Sequence, residues 1–325
     1  MGRPAARADL DRLVEDFQAR RIRGLARAIT LVERRDPAVR DLLERLGPLE
    51  HTPPVVGLTG APGSGKSTLA DALIAFHRKA GHSVAVIAVD PNSPFSGGAV
   101  FGDRVRMGRH SLDEGVYIRS MGARGHLGGL SVATREGIRL AAAFGFELVL
   151  VETVGVGQSE LEVAGVADTT VVVFAPGLGD DVQMIKAGIM EIADVFVVNK
   201  ADTPGYETTV RQLRAALNLG PKLPWKPPIV ATVASKGEGV EELWKDIEKH
   251  RDYLRKSGEG ARRAADRLRD EAADLVGEWA RDAARRLLRD GGEAARLLDS
   301  EKAPYGAAEF ILREKGPKLV PDAKG

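Results

Sequence analysis

Apolar positions along the 325-residue chain change their period twice. In the first fifty residues they recur at helical spacing. Leu10, Leu13, Val14 and Phe17 fall at i, i+3, i+4 and i+7, and Val39, Leu42, Leu43 and Leu46 repeat that spacing. Gly47-Pro48 closes the second run, and Pro53-Pro54 marks a linker. Short apolar runs follow: Val55 to Thr59, Ser83 to Val89, Leu148 to Val151, Thr170 to Phe174, Val195 to Val198, and Ile229 to Val233. They are continuous rather than alternating and rich in Val and Ile, as strands covered on both faces require. Helical stretches separate most of them. The expected fold class is therefore α/β, a doubly wound and mostly parallel sheet spanning 51–255. After Ser257-Gly258 the pattern returns to helix. Leu268, Ala272, Leu275, Val276, Trp279, Ala283 and Leu287 make one stripe, and Gly291-Gly292 ends it. A helix of ~30 residues is ~45 Å long, more than one face of the sheet domain needs. The expectation is an arm that buries its stripe against a second copy in a homodimer, the alternative being a helix folded back on its own domain. The chain thus divides into a helical N-terminal extension (1–50), a sheet domain (51–255) and a helical C-terminal arm (256–325).

Composition narrows the function classes. Lys plus Arg is 47 and Asp plus Glu is 46, a net charge of +1, so no bulk attraction for nucleic acid is expected. There is no cysteine, which excludes disulfides, thiolate zinc sites, iron–sulfur clusters and thiol nucleophiles. No apolar run approaches the ~20 residues that span a bilayer, and Asp9, Asp11 and Glu15 interrupt the N-terminus before any apolar core. A cytoplasmic protein without membrane partners is expected. The six histidines form no ligand spacing; His126, in a glycine-rich stretch, is the one that merits watching.

Gly60-Ala61-Pro62-Gly63-Ser64-Gly65-Lys66-Ser67-Thr68 follows the first strand and opens a helix. It matches the Walker A pattern in the context that pattern requires. Glycines let backbone N–H groups turn inward around a phosphate, and the helix N-terminus adds partial positive charge. Lys66 is the expected ligand of β/γ oxygens and a catalytic candidate. The Ser67 hydroxyl is the expected Mg²⁺ ligand.

Asn199-Lys200-Ala201-Asp202 ends the strand Val195 to Val198. A carboxylate at Asp202 can accept from both N1–H and the exocyclic amine of guanine, whereas adenine would leave it unpaired, a mismatch worth up to ~10⁴ to 10⁵ in selectivity. The Lys200 stem is expected over the ring. Val233-Ala234-Ser235, after the next strand, falls where a backbone N–H can meet guanine O6. These residues together predict GTP/GDP as the ligand.

The strand Leu148 to Val151 ends in Glu152-Thr153-Val154-Gly155, a D-x-x-G switch with Glu for Asp. Gly155 can offer its N–H to a γ-phosphate, and Glu152 can reach the Mg²⁺ shell through water. Asp90 ends a neighbouring strand and is a candidate for holding the metal or orienting the attacking water. Val156 stands where many GTPases place a water-orienting Gln, so slow hydrolysis of ~10⁻⁴ to 10⁻² s⁻¹ is expected without help. Gln158 is a possible substitute. The Gly-, Pro- and Ser-rich stretch from Pro91 to Met107 is expected to be a nucleotide-ordered lid whose Asp103 joins the metal shell. The stretch from Gly177 to Lys186, with Asp180, Asp181, Gln183 and Lys186, is expected to be a further switch.

Together Gly60 to Thr68, Val89-Asp90-Pro91, Gly102 to Met107, Glu152 to Glu160 and Asn199 to Asp202 resemble the MeaB/ArgK-type P-loop GTPases, the methylmalonyl-CoA mutase-associated chaperones. The run from Glu152 to Glu160 is the most specific element, and the resemblance covers nearly the whole chain. It implies a GTPase that assists loading, protection and reactivation of an adenosylcobalamin-dependent acyl-CoA mutase. It also implies a homodimer joined by the C-terminal arm and a switch at Gln183 and Lys186 that relays mutase binding. Phe95-Ser96 departs from the Ser/Thr-rich string usual there. Three other readings stay open: a GTP-dependent kinase linked to basic amino-acid transport, a metal-insertion GTPase, and a non-hydrolysing scaffold that senses GTP. Against metal insertion, the chain carries neither a His-rich tail nor a C-x-x-C pair.

Overall fold

A computed structural model of the chain describes residues 7–47, 52–90, 110, 112–122, 132–153, 162–177, 189–220, 223–289, 292, 295–296 and 304–315. Two compact units emerge, Met1–Ala261 and Arg262–Gly325. The first is built on a seven-stranded sheet in the order β3-β2-β4-β1-β5-β6-β7. Its strands are β1 (Val55–Thr59), β2 (Val84–Asp90), β3 (Val116–Gly122), β4 (Leu148–Thr153), β5 (Thr169–Phe174), β6 (Val195–Val198) and β7 (Ile229–Ala231). Every pairing is parallel. All strand C-termini therefore lie along one edge of the sheet, where open α/β folds bind ligands.

Alternate residues of each strand feed opposite faces. Val56, Leu58, Val171 and Val173 point into a core with helix α4 (Lys66–Lys79) and with helix α8 (Val240–Ser257). Val55, Val149, Val151, Ile87 and Val89 point into a second core. There the N-terminal helices α1 (Arg7–Gln18), α2 (Ile22–Arg34) and α3 (Ala38–Leu46) pack with α5 (Val132–Phe144). Farther along the sheet, Val172, Phe174, Phe196 and Val198 meet α6 (Ile189–Ile192) and α7 (Tyr206–Leu219). Burial on both faces is why the strands are continuous apolar runs rather than alternating ones.

Helices α1 and α2 pack closely on one another. Gly24 of α2 lies where a Cβ would come within 2.7 Å of the Phe17 backbone of α1. The buried Asp16 beside it is held by Arg21 at 2.6 Å and Arg23 at 3.0 Å. These arginines hold its carboxyl below the ordinary range.

One strand escapes the hydrophobic pattern. β3 is the sheet edge, and only Tyr117 and Met121 of it are buried. Arg119 instead pairs with Glu33 and approaches Thr30 of α2 at 3.3 Å. An edge strand with one ion-paired face carries no continuous apolar run, so its signal is weak.

The second unit contains most of α9 (Glu259–Arg289) and α10 (Pro304–Lys315). On the α9 stripe Ala283 is buried, whereas Leu268 and Val276 remain 60% and 61% exposed. Among the described residues no helix is long and apolar enough to cross a membrane.

His77, near the end of α4, is buried with its ring 4.1 Å edge-on to Trp244 of α8. Burial pushes its pKa down to about 4 from 6.5. Above pH ~6.5 the residue is neutral in folded and unfolded chains alike and contributes no pH dependence. Between pH ~6.5 and ~4 only the unfolded chain takes the proton, so stability falls as pH falls, by on the order of 3 kcal/mol. Urea midpoints of the wild type and His77→Phe across that range should diverge, with the variant showing the shallower slope. Parallel profiles would contradict this assignment.

Candidate functional site

The site stands where β1, β4, β6 and β7 end. β1 runs directly into Gly60, whose φ of +140° and near contact leave no space for a side chain: a Cβ there would lie 2.2 Å from Val173 O. Gly63 and Gly65 also have positive φ, 78° and 93°. These three residues bend the chain from Gly60 to Gly65 so that α4 begins at Lys66 with its free N–H groups at the loop. Lys66 is buried, and its Nζ donates to Gly60 O at 2.6 Å and Ala61 O at 3.0 Å, closing the loop around its own ammonium. Ser64 is fully buried, and its hydroxyl makes no hydrogen bond among the described residues. A cradle with an inward ammonium and an unsatisfied hydroxyl fits a polar, anionic ligand.

On the next strand over, β4 places buried Glu152 against the start of α4. Ser67 Oγ donates to Glu152 Oε1 at 2.5 Å. Register follows from the pairing of Leu58 with Glu152. Behind this contact Thr153 Oγ1 donates to Thr59 Oγ1 at 3.3 Å. A hydroxyl and a carboxylate here are hard oxygen donors of the kind Mg²⁺ takes. Among the described residues no group of three His, Cys, Asp or Glu could hold a metal ion. Such a group is not required where the ligand's own phosphates complete the shell.

At the end of β6 the Asn199 side chain joins two loops. Its Nδ2 donates to Ser64 O at 3.0 Å, and its Oδ1 accepts from Thr232 Oγ1 and Ala234 N, each at 3.1 Å. Asn199 is 2% exposed, so these bonds are made away from water. Gly65 leaves the room: a Cβ there would come within 2.2 Å of Asn199 Nδ2. Lys200 adopts a left-handed backbone with φ of 55°, rare for a side chain with a Cβ. Its Nζ donates to Gly63 O at 2.8 Å. The phosphate loop is thus hydrogen-bonded at two carbonyls by the loop that carries Asp202.

Asp202 is half-exposed, and Lys236 Nζ donates to its Oδ2 at 2.9 Å. Lys236 holds the Asp202 carboxyl below the ordinary carboxylate range, and Asp202 in turn raises the Lys236 ammonium. Lys236 ends the 3₁₀ turn Ala234–Lys236, which contains Ser235. The turn is closed by a bond from Val233 N to Glu238 O at 3.1 Å and by Gly239, where a Cβ would lie 2.0 Å from Ala231 O.

The structure therefore brings Gly60, Ala61, Pro62, Gly63, Ser64, Gly65, Lys66, Ser67 and Thr68 together with Glu152, Asn199, Lys200, Asp202, Val233, Ala234 and Ser235 at one sheet edge. Asp90 ends β2, which pairs with β4 so that Val89 stands beside Thr153; the Asp90 side chain lies outside the described residues. So do Asp103, His126, Gly155, Val156, Gln158, Asp180, Asp181, Gln183 and Lys186. Two residues join the set that motif reading alone did not select, Thr232 and Lys236. The string Ala234-Ser235-Lys236 directly after β7 was the available signal for the second.

A Walker A turn tied to an Asn-Lys-x-Asp loop at the carboxyl edge of a parallel sheet is the arrangement of a P-loop GTPase. The model of the family described as "Methylmalonyl Co-A mutase-associated GTPase MeaB" matches residues 25–286. A putative GTPase of Pyrococcus horikoshii is 46% identical over 310 residues, covering 94% of this chain and 98% of that one. The mouse protein named "Methylmalonic aciduria type A homolog, mitochondrial" is 37% identical, covering 72% of this chain and 61% of its own. The crystal structure of a protein named "LAO/AO transport system kinase" superposes with a TM-score of 0.68 at 28% identity, covering 95% of this chain and 99% of that chain. The chain belongs to the MeaB family of P-loop GTPases.

If Asp202 reads the base, replacing it by Asn exchanges one carboxylate acceptor for the guanine N1–H and amine for an N–H donor suited to xanthine. Competition binding should show preference moving from GTP toward xanthosine triphosphate by at least ~10²-fold. Unchanged GTP preference in Asp202→Asn would remove the base-reading role.

Proposed function

We propose that the chain is a Mg²⁺-dependent, GTP-hydrolysing chaperone of an adenosylcobalamin-dependent acyl-CoA mutase, acting as a homodimer. The observation that carries the nucleotide half is the Asn199 bridge, which holds phosphate loop and base loop in one register. The family match supports the partner half, since that family is described as mutase-associated.

In this reading Lys66 exchanges its bonds to Gly60 O and Ala61 O for β/γ-phosphate oxygens. Its position is already set by the loop, so little side-chain ordering remains to be supplied on binding. Ser67 Oγ and, through water, Glu152 hold Mg²⁺, which supplies charge stabilisation at the phosphates when bound. Their contact keeps the hydroxyl at the mouth of the cradle. Asp90 and Asp103 complete the metal shell or orient water, Gly155 donates to the γ-phosphate, and Gln158 stands in for the Gln that Val156 replaces. Asp180, Asp181, Gln183 and Lys186 form the switch that answers the mutase. The partner aligns the attacking water and thereby raises the rate.

Similarity to a protein named as a transport system kinase favours a second reading, a kinase passing the γ-phosphate to an acceptor linked to basic amino-acid transport. Transfer of label from γ-labelled GTP to an amino acid or binding protein would establish it.

The test is single-turnover hydrolysis with and without the mutase encoded by the same organism. The chain alone should hydrolyse GTP at ~10⁻⁴ to 10⁻² s⁻¹, and saturating mutase should raise this about tenfold or more. EDTA or Ser67→Ala should suppress hydrolysis in both cases. No complex and no acceleration would contradict the partner role while leaving the GTPase itself intact.

A further inference from the structure

At the other end of β7 from the base loop, a groove of about 320 Å³ opens between the C-terminal part of α7 and the strand start. It is lined by Arg214, Leu217, Asn218, Lys226, Pro227, Pro228 and Ile229. Four lining residues are apolar, two are cationic, one is an amide, and none is acidic. Leu219, at the end of the same helix, is 89% exposed, and Leu223 is 47% exposed. From Tyr206 to Pro228 the sequence carries Arg211, Arg214, Lys222 and Lys226 against the single acid Glu207, in a chain whose overall charge is only +1.

One wall of the groove is held rigidly from behind. Trp225, next to Lys226, donates its indole N–H to Asp194 O at 2.8 Å. Its ring lies 5.0 Å from His250 and 5.3 Å from Tyr253 of α8. His250 is fully buried, with Nδ1 at 2.9 Å from Thr169 Oγ1 and Nε2 at 3.1 Å from Asp194 Oδ1. Asp194 Oδ2 accepts from Thr170 N at 2.8 Å. The segment Trp225–Pro228 is therefore anchored to the bases of β5 and β6 and to α8. A preformed wall lowers the ordering cost of binding, and two adjacent prolines stiffen it further.

We propose that this groove is a docking surface for an acidic segment of a protein partner that inserts an apolar side chain between Leu217 and Ile229. Charge complementarity selects the occupant. Arg214 and Lys226 form a cationic rim with no carboxylate of the groove to neutralise them, so a flanking Asp or Glu on the partner gains both ion pairs. The apolar floor and the exposed Leu219 extend beyond what a bare phosphate or carboxylate would cover, which favours a peptide with an apolar anchor. The proposal does not depend on what the nucleotide site does, because the groove lies at the opposite strand ends.

The test is fluorescence anisotropy of a short labelled peptide in which Leu and Phe are flanked on both sides by Asp and Glu. It is titrated with the full chain, the nucleotide site being saturated with GDP and Mg²⁺. Arg214→Glu combined with Lys226→Glu should weaken binding about tenfold or more, and Leu219→Ser severalfold, while basal GTP hydrolysis stays at the wild-type rate. Raising salt from ~0.1 M to ~1 M, which shortens the screening length from ~10 Å to ~3 Å, should weaken the wild type more than the charge-reversed variant. Equal affinity of the charge-reversed variant would overturn the proposal. So would equal binding of a peptide with Ser in place of Leu and Phe, which would reduce the site to general charge attraction. Loss of self-association in the charge-reversed variant, with no peptide binding by the wild type, would assign the groove to a second copy instead.

Discussion

The site depends on one buried amide. Asn199 donates to the phosphate loop at Ser64 O and accepts from the base loop at Thr232 Oγ1 and Ala234 N. These bonds are made at 2% exposure, where an unpaired amide would be costly and a shifted partner would leave one orphaned. The two loops are far apart in sequence, and each is bent by glycines whose backbone no other residue adopts readily. Asn199 gives them a common reference. Lys200 adds a second tie to Gly63 O, at the cost of a left-handed backbone.

Around that centre, the sheet makes the ligand edge a consequence of topology. With every strand parallel, all C-terminal ends lie along one edge, and four of them feed the site: β1 the phosphate loop, β4 Glu152, β6 Asn199 and Asp202, β7 the turn with Lys236. The Asp202–Lys236 pair is solvent-exposed, so its contribution to folding is small. Its visible effect is to fix the Asp202 carboxylate beside Lys236 and hold its carboxyl below the ordinary range. Helices α1 to α3 complete one hydrophobic layer over β2 and β4, the strands that carry Asp90 and Glu152.

Much of this was legible in the residues. Runs of Val and Ile without alternation announced strands covered on both faces, and Gly-Ser-Gly-Lys-Ser after the first of them announced the cradle. Asn-Lys-x-Asp marked the loop that the structure sets against that cradle through Asn199 and Lys200. What was not legible has a physical reason in each case. β3 is an edge strand whose polar face is satisfied by Glu33 and Thr30, so it lacks the apolar signature of the interior strands. Lys236 stands in a short turn where a lysine is an ordinary surface residue, and only the geometry pairs it with Asp202. The bonding of Asn199 is invisible to sequence because its three partners lie 33 or more positions away. The groove beside Trp225 has no motif; it arises from packing of the α7 end against Pro227-Pro228 and Ile229.

The role given to Asn199 is tested most directly by isothermal calorimetry of GDP binding to Asn199→Ala, with circular dichroism and a urea melt as controls. If Asn199 holds the two loops in register, the variant keeps its fold but loses GDP affinity by at least ~10²-fold, more than the loss of one exposed hydrogen bond would cause. A folded variant that binds GDP within about threefold of the wild type would show that the loops find their register without it.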